Sequence, residues 1–110
     1  MTDAGARFPT GLIVDAKIRE LSARGVACYV IQKGPYEGGS ILVKVFAARQ
    51  GAQIYSRIIT MEGETAWTEV FSDGPVTESE ADSYINSEKD FDPDLWILEI
   101  ETKEIFNPFC

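Results

Sequence analysis

Apolar residues along the chain change their spacing several times, and each change marks an element. Over residues 11–24, Val14, Ile18 and Leu21 recur at i, i+4 and i+7, with Leu12 and Ile13 widening the stripe. That spacing predicts an amphipathic helix. Thr10 stands where an N-cap is wanted and Gly25 where a helix ends. Residues 26–33 (VACYVIQK), 41–47 (ILVKVFA), 53–60 and 66–72 are rich in β-branched and aromatic side chains and predict four strands. The turns between them, at 34–40 (GPYEGGS), 49–51 and 62–64, are short, which predicts an antiparallel meander with the glycine-rich segment as a hairpin loop.

A second helix starts at Thr77-Glu78-Ser79-Glu80, a capping-box pattern, with Val76 set to staple onto Ala81. Glu78, Glu80 and Asp82 fall in its first turns, where the helix dipole favours carboxylates. Ala81, Tyr84, Ile85 and Glu88 then follow at helical spacing, so only a narrow stripe is expected to be buried. Pro93 disfavours a helical Asp92 and ends the element. Residues 95–101 (LWILEIE) predict a fifth strand. Its alternation puts Trp96, Leu98 and Ile100 on one face and Leu95, Ile97, Glu99 and Glu101 on the other.

The element order αββββαβ predicts an α+β fold: a mostly antiparallel five-stranded sheet with two helices packed on one face. Strands 26–31, 41–47 and 95–100 carry apolar residues on both faces. The face away from the helices would then need cover, from a second subunit or from a sheet curled on itself.

Composition narrows the class. The chain has 110 residues, 45% hydrophobic and 25% charged, as a single folded domain does. Residues 1–7 are expected to be a flexible tail. No apolar run approaches ~18 residues, and residues 1–10 carry no apolar signal core, so a cytoplasmic protein with no membrane partner is expected. Two cysteines without an export signal are expected to stay reduced. The absence of histidine excludes a histidine-based triad and a histidine metal site, and no cofactor is expected.

Three segments carry a resemblance: PTGLIVDAKIREL at the first helix, SILVKV after the glycine-rich turn, and FDPDLWILEIE near the C-terminus. Together they are similar to the bacterial domain-of-unknown-function family numbered 1491, over nearly the whole chain. The resemblance implies a small α+β cytosolic bacterial protein. It implies no activity and carries over no catalytic residue. The chain departs from it at residues 102–110 (TKEIFNPFC), where members tend to continue with a polar, glycine-containing tail.

Several constellations could carry chemistry. Asp90, Asp92 and Asp94, with Glu101 eleven residues after the first, mimic a calcium-binding EF-hand loop. Leu95 stands where the turn glycine should be and a strand follows, so no metal site is assigned. Asp92 and Asp94 are expected instead to accept backbone N–H groups in a turn that launches the last strand. Glu99 and Glu101 share a strand face at about 6–7 Å by strand rise, a spacing open to acid–base work or to pairing with Lys33 or Lys44. Cys28 has no base and is expected to be a packing residue. GPYEGG lacks the lysine and hydroxyl of a phosphate loop, and Tyr36 at its tip is expected to be exposed and able to make contacts.

Charge is unevenly placed. Residues 1–60 carry a net +4 and residues 61–110 a net −12, which together give the chain's −8. The overall sign disfavours nucleic acid, and no RNA-binding aromatic-basic motif is present. The halves are expected to mix their charges on folding. The reading that follows is a non-catalytic binding or interaction module whose partner is a second copy or another protein. Asp92, Asp94, Glu99, Glu101 and Tyr36 are its candidate binding residues. A carboxylate-based enzyme, with or without a divalent ion, is the alternative, and a weak nucleic-acid binder using the basic half is the second.

Overall fold

The computed structural model describes residues 8–110, so the expected tail at 1–7 lies outside the described residues. Helix α1 (Thr10–Ala23) is followed by β1 (Cys28–Gln32), β2 (Ile41–Ala47), β3 (Gly51–Ile59), β4 (Thr65–Glu69), helix α2 (Glu78–Phe91) and β5 (Trp96–Glu101). The order αββββαβ and the five-stranded, mostly antiparallel sheet are as the patterning predicts. Trp96 and Ile100 are buried, as their shared strand face requires.

The meander is corrected. The sheet order is β1-β5-β2-β3-β4, so β5 lies between β1 and β2. It pairs antiparallel with β1 and parallel with β2, whereas β2, β3 and β4 are joined antiparallel as expected. Residues 34–40 are therefore not a hairpin loop. They carry the chain across the entry end of β5, and the glycines are there for close approach. A Cβ on Gly34 would sit 2.5 Å from both the Asp94 carbonyl oxygen and Trp96 Cδ1. The Trp96 indole N–H donates to the carbonyls of Pro35 (3.0 Å) and Gly38 (3.1 Å). The physical reason for the insertion lies in β5 itself, whose apolar residues on both faces favour an interior place in the sheet.

The helices are also placed differently from the expectation that both pack on one face. Val14 and Leu21 of α1 pack with Ile41, Val43, Val45, Leu98 and Ile100. Ala81 and Ile85 of α2 pack with Leu42, Ala52, Ile54, Leu95 and Ile97. These two sets alternate along β2 and β5, so they lie on opposite faces. One helix covers each face, and the two-faced apolarity of the central strands is answered within the chain. Neither a second subunit nor a curled sheet is needed there. The Val26 and Cys28 side chains, half-buried, also pack on the α1 side.

Local chemistry locks these layers. Thr77 caps α2 as its pattern predicts, its hydroxyl accepting the Glu80 N–H at 3.2 Å. Thr10 does not cap α1; Pro9 holds the N-cap position and makes no side-chain cap bond. Thr10 is instead a buried first helical residue, whose hydroxyl donates to the Gly39 carbonyl (3.4 Å) and accepts from Arg57 Nη2 (3.2 Å). That ties α1 to β3 and to the loop over β5. Helix α2 lies against β3 and reaches across β2, which leaves the β1 side of its face open.

Candidate functional site

Strand β1 is an edge, and it is the least covered part of the sheet. Tyr29, Val30 and Ile31 are 61%, 44% and 41% exposed, a consecutive apolar run on a strand whose outer backbone groups have no sheet partner among the described residues. The opposite edge, β4, is protected differently. It ends in Glu69, and Trp67 is stacked under Phe109 at 4.9 Å between ring centroids. No charged residue interrupts β1 between Cys28 and Gln32. A register irregularity between Val30 and Gln32 bends it, as bulges on sheet edges do.

Beside β1, on the α2 face, lies a recess of about 240 Å³. Ile31, Ile85 and Ile97 give it apolar walls, and Lys44, Asp82 and Glu99 give it charge. Lys44 is 2% exposed in the middle of β2. Its ammonium donates to Glu78 Oε2 (2.8 Å) and Asp82 Oδ1 (2.6 Å) and lies 3.7 Å from Glu99 Oε2. Burial alone would lower its pKa. The hydrogen bonds it donates to Asp82 and Glu78, with the charge of Glu99, outweigh that and hold it above the ordinary lysine range. The basic first half and acidic second half thus mix their charges here, with three carboxylates from residues 78–99 around one ammonium from β2.

The five residues singled out by sequence do not form one site. Glu99 lines the recess and pairs with Lys44 in register across β2 and β5. Glu101 follows it on β5, exposed, near the start of β1. Asp92 makes the expected turn, its carboxylate accepting the Asp94 N–H at 3.0 Å. The Asp94 side chain is exposed, and its carbonyl meets Gly34 and Gly39. Tyr36 is half-exposed on the crossover loop and lies against Gly11, whose N–H donates to the Tyr36 carbonyl at 2.7 Å.

Other groups are bound up in structure. Cys28 is half-buried, and burial pushes its thiol up to about 11, so it is a poor nucleophile at neutral pH. Cys110 is free and exposed, as expected of a terminal residue. Among the described residues no group of three or more His, Cys, Asp or Glu side chains is arranged to hold a metal ion. No helix among them is long and apolar enough to cross a membrane.

Three polar residues, Gln53 and Arg57 buried and Gln32 half-buried, escape sequence reasoning. Gln53 accepts the Phe71 N–H (3.1 Å) and donates to the Phe71 carbonyl (3.0 Å), holding the chain beyond β4. Gln32 donates to the carbonyls of Asp92 (3.0 Å) and Leu95 (2.8 Å), holding the end of β1 to the entry of β5. Arg57 is buried beside Thr10. Polar residues inside otherwise apolar strands were the available signal, strongest at Lys44 in ILVKVFA.

Fold and surface define a small α+β domain with a helix on each face and an open strand at one edge. The family model DUF1491, "Protein of unknown function", matches residues 8–109, and the chain belongs to that family. The match extends into the C-terminal segment at 102–110, where the sequence departs from the polar, glycine-containing tail that the resemblance implies. A crystal structure of a DUF1491 family protein from Caulobacter crescentus CB15 is similar at 29% identity and a TM-score of 0.78, over 94% of each chain. A solution structure of a protein from A. tumefaciens is similar at 28% identity and 0.71, over 90% of this chain and 89% of that one. An NMR structure of a DUF1491 family protein from Caulobacter crescentus CB15 gives 31% and 0.76, over 88% and 87%. No functionally curated protein matches the chain.

Proposed function

We propose that the protein is a non-catalytic interaction module of the cytoplasm that works through the exposed edge of β1. The observation that carries this is the run Tyr29-Val30-Ile31, three exposed apolar residues on the edge strand of the sheet. A partner that lends a strand gains main-chain hydrogen bonds along the edge and buries these side chains. Glu99 and Glu101, on the neighbouring β5, give that surface an acidic flank. The partner is a second copy or another protein with an extended segment. Asp92, Asp94 and Tyr36 shape the entry of β5 at the other end of the strand.

The test is site-specific photocrosslinking inside the host cell. A benzoylphenylalanine in place of Val30 is compared with one in place of Ser83, an exposed position on α2. A discrete adduct at position 30 and none at position 83 is expected. No adduct at position 30, or equal adducts at both, overturns the reading.

A further inference from the structure

We infer that residues 105–110 form a latch that lifts off the sheet while the rest of the domain stays folded, and that its lifting opens an aromatic groove between α1 and β4. The device is separate from the β1 edge.

The α1 face of the sheet has two covers. Helix α1 lies over β5 and β2, packing Val14 and Leu21 on Val43, Val45, Leu98 and Ile100. Tyr55 of β3 and Trp67 of β4 belong to the same face. Tyr55 pairs with Val43, and Trp67 pairs with Arg57, two residues along β3 from Tyr55. Segment 102–110 covers this second part. Phe109 stacks on Trp67 at 4.9 Å between ring centroids, and Ile105 packs on the same core cluster.

Side chains, and hardly any backbone, hold that second cover in place. The Thr102 N–H donates to the Phe46 carbonyl at 2.9 Å, and the Ile105 N–H to Gln50 Oε1 at 2.8 Å. Past Ile105 the hydrogen bonds turn inward. The Phe109 N–H donates to Asn107 Oδ1 at 3.0 Å and the Cys110 N–H to the Asn107 carbonyl at 3.2 Å. Among the described residues, none from 106–110 reaches α1 or the sheet. A segment without ladder bonds opens at lower free energy than the strands and helices beneath it. The turn at Asn107 is internal to the segment, so it survives lifting and the segment moves as a unit.

Phe109 is the bolt of this latch. Its ring lies between Trp67 and Lys17, whose ammonium is 5.5 Å from the ring centroid and is itself held by Glu20 at 3.1 Å. The same ring forms one wall of a groove of about 510 Å³ along α1, with Phe8, Leu12, Ile13 and Ala16. Phe109 therefore divides that groove from the Trp67 ring. When it lifts, the two become one apolar surface, which the closed latch keeps from any partner. The open form is expected to be a minor state, on the order of 1% of molecules.

Fluorine NMR of the full chain, with fluorotryptophan at both tryptophans, tests this. Trp67 lies under the latch, and Trp96, 3% exposed in the core, reports unfolding of the whole domain. Trp67→Phe assigns the two resonances. Saturation transfer should reveal a minor state at Trp67 and none of equal population at Trp96. Lys17→Met removes the cation over the ring and should raise the open population about two- to fivefold. Phe109→Ala should move the Trp67 resonance towards the minor-state position and leave that of Trp96 in place. The wild-type and Lys17→Met spectra decide the matter if Phe109→Ala does not fold. No minor state at Trp67, or one shared by Trp96 at the same population, overturns the inference. So does a Trp67 minor state that Lys17→Met leaves unchanged, because the opening would then not involve Phe109.

Discussion

Replacing Glu78 by Gln and Asp82 by Asn together keeps the Lys44 ammonium in place and removes the charges that hold it. Lys44 is 2% exposed, and breaking a buried ion pair from one side costs about 3–5 kcal/mol, because an uncompensated charge stays behind. Here the two carboxylate side chains are 42% and 53% exposed, and Glu99 remains 3.7 Å from the ammonium. Water screening and the remaining partner reduce the expected loss to about 2–3 kcal/mol, or about 10 °C in Tm for a domain of this size. Lys44→Met removes the charge but keeps the bulk, and should change stability by no more than about 1 kcal/mol. On the Lys44→Met background the double carboxylate change should cost less than about 1 kcal/mol, the part owed to the helix dipole. Urea unfolding of the four proteins closes this cycle. An equal loss on both backgrounds would show that Glu78 and Asp82 act only through the helix terminus, and would refute the argument. The sign of the pH dependence follows. The folded pKa of Lys44 lies above its ordinary 10.5, so this stabilisation is complete below that value and is lost as pH rises through the folded pKa. Lys44→Met should lack that part of the alkaline loss.

Gly34→Ala should cost about 2–3 kcal/mol, because its Cβ meets the Asp94 backbone carbonyl as well as the Trp96 ring; urea unfolding reads the loss and Trp96 fluorescence the displaced ring. An unchanged midpoint would show that the crossover loop is not held against β5. Asp92→Ala should cost about 1 kcal/mol by removing the acceptor for Asp94 N–H, Asp92→Asn should restore most of it, and Asp94→Ala should be near neutral. Thermal melts check the series; equal effects at 92 and 94, or a stabilisation by Ca²⁺ that the variants lose, would restore the metal reading. Phe109→Ala removes the stack on Trp67 and a contact 5.5 Å from Lys17 Nζ to the ring, and should cost about 1–2 kcal/mol with a shift in Trp67 emission.

What was legible in the sequence was what short-range physics decides. The capping box at Thr77, the Asx turn at Asp92 and the alternation along LWILEIE each depend on residues a few positions apart, and each is realised. What was hidden depends on which distant strands meet. Turn residues at 34–40 suit a hairpin and a crossover equally, and only the need of Gly34 and Gly39 to pass over the Asp94 carbonyl, with the Trp96 indole bonded to the loop, distinguishes them. Lys44 was readable as a partner for Glu99 through strand pairing, yet its two shorter bonds come from a helix 34 and 38 residues away.

The correction to the helix positions changes where a partner can act. With both helices on one face, the whole opposite face of the sheet would have called for cover, and a face-to-face dimer would have followed. With one helix on each face, β2, β3 and β5 are covered by the chain itself, and the demand for cover contracts to the strand that α2 does not reach. That strand is β1, and it is open at its edge as well as on its α2 side. Association by strand pairing therefore fits this fold better than association by stacking sheets, because the groups left open to water at β1, among the described residues, are backbone hydrogen-bonding groups together with apolar side chains, and another strand covers both at once.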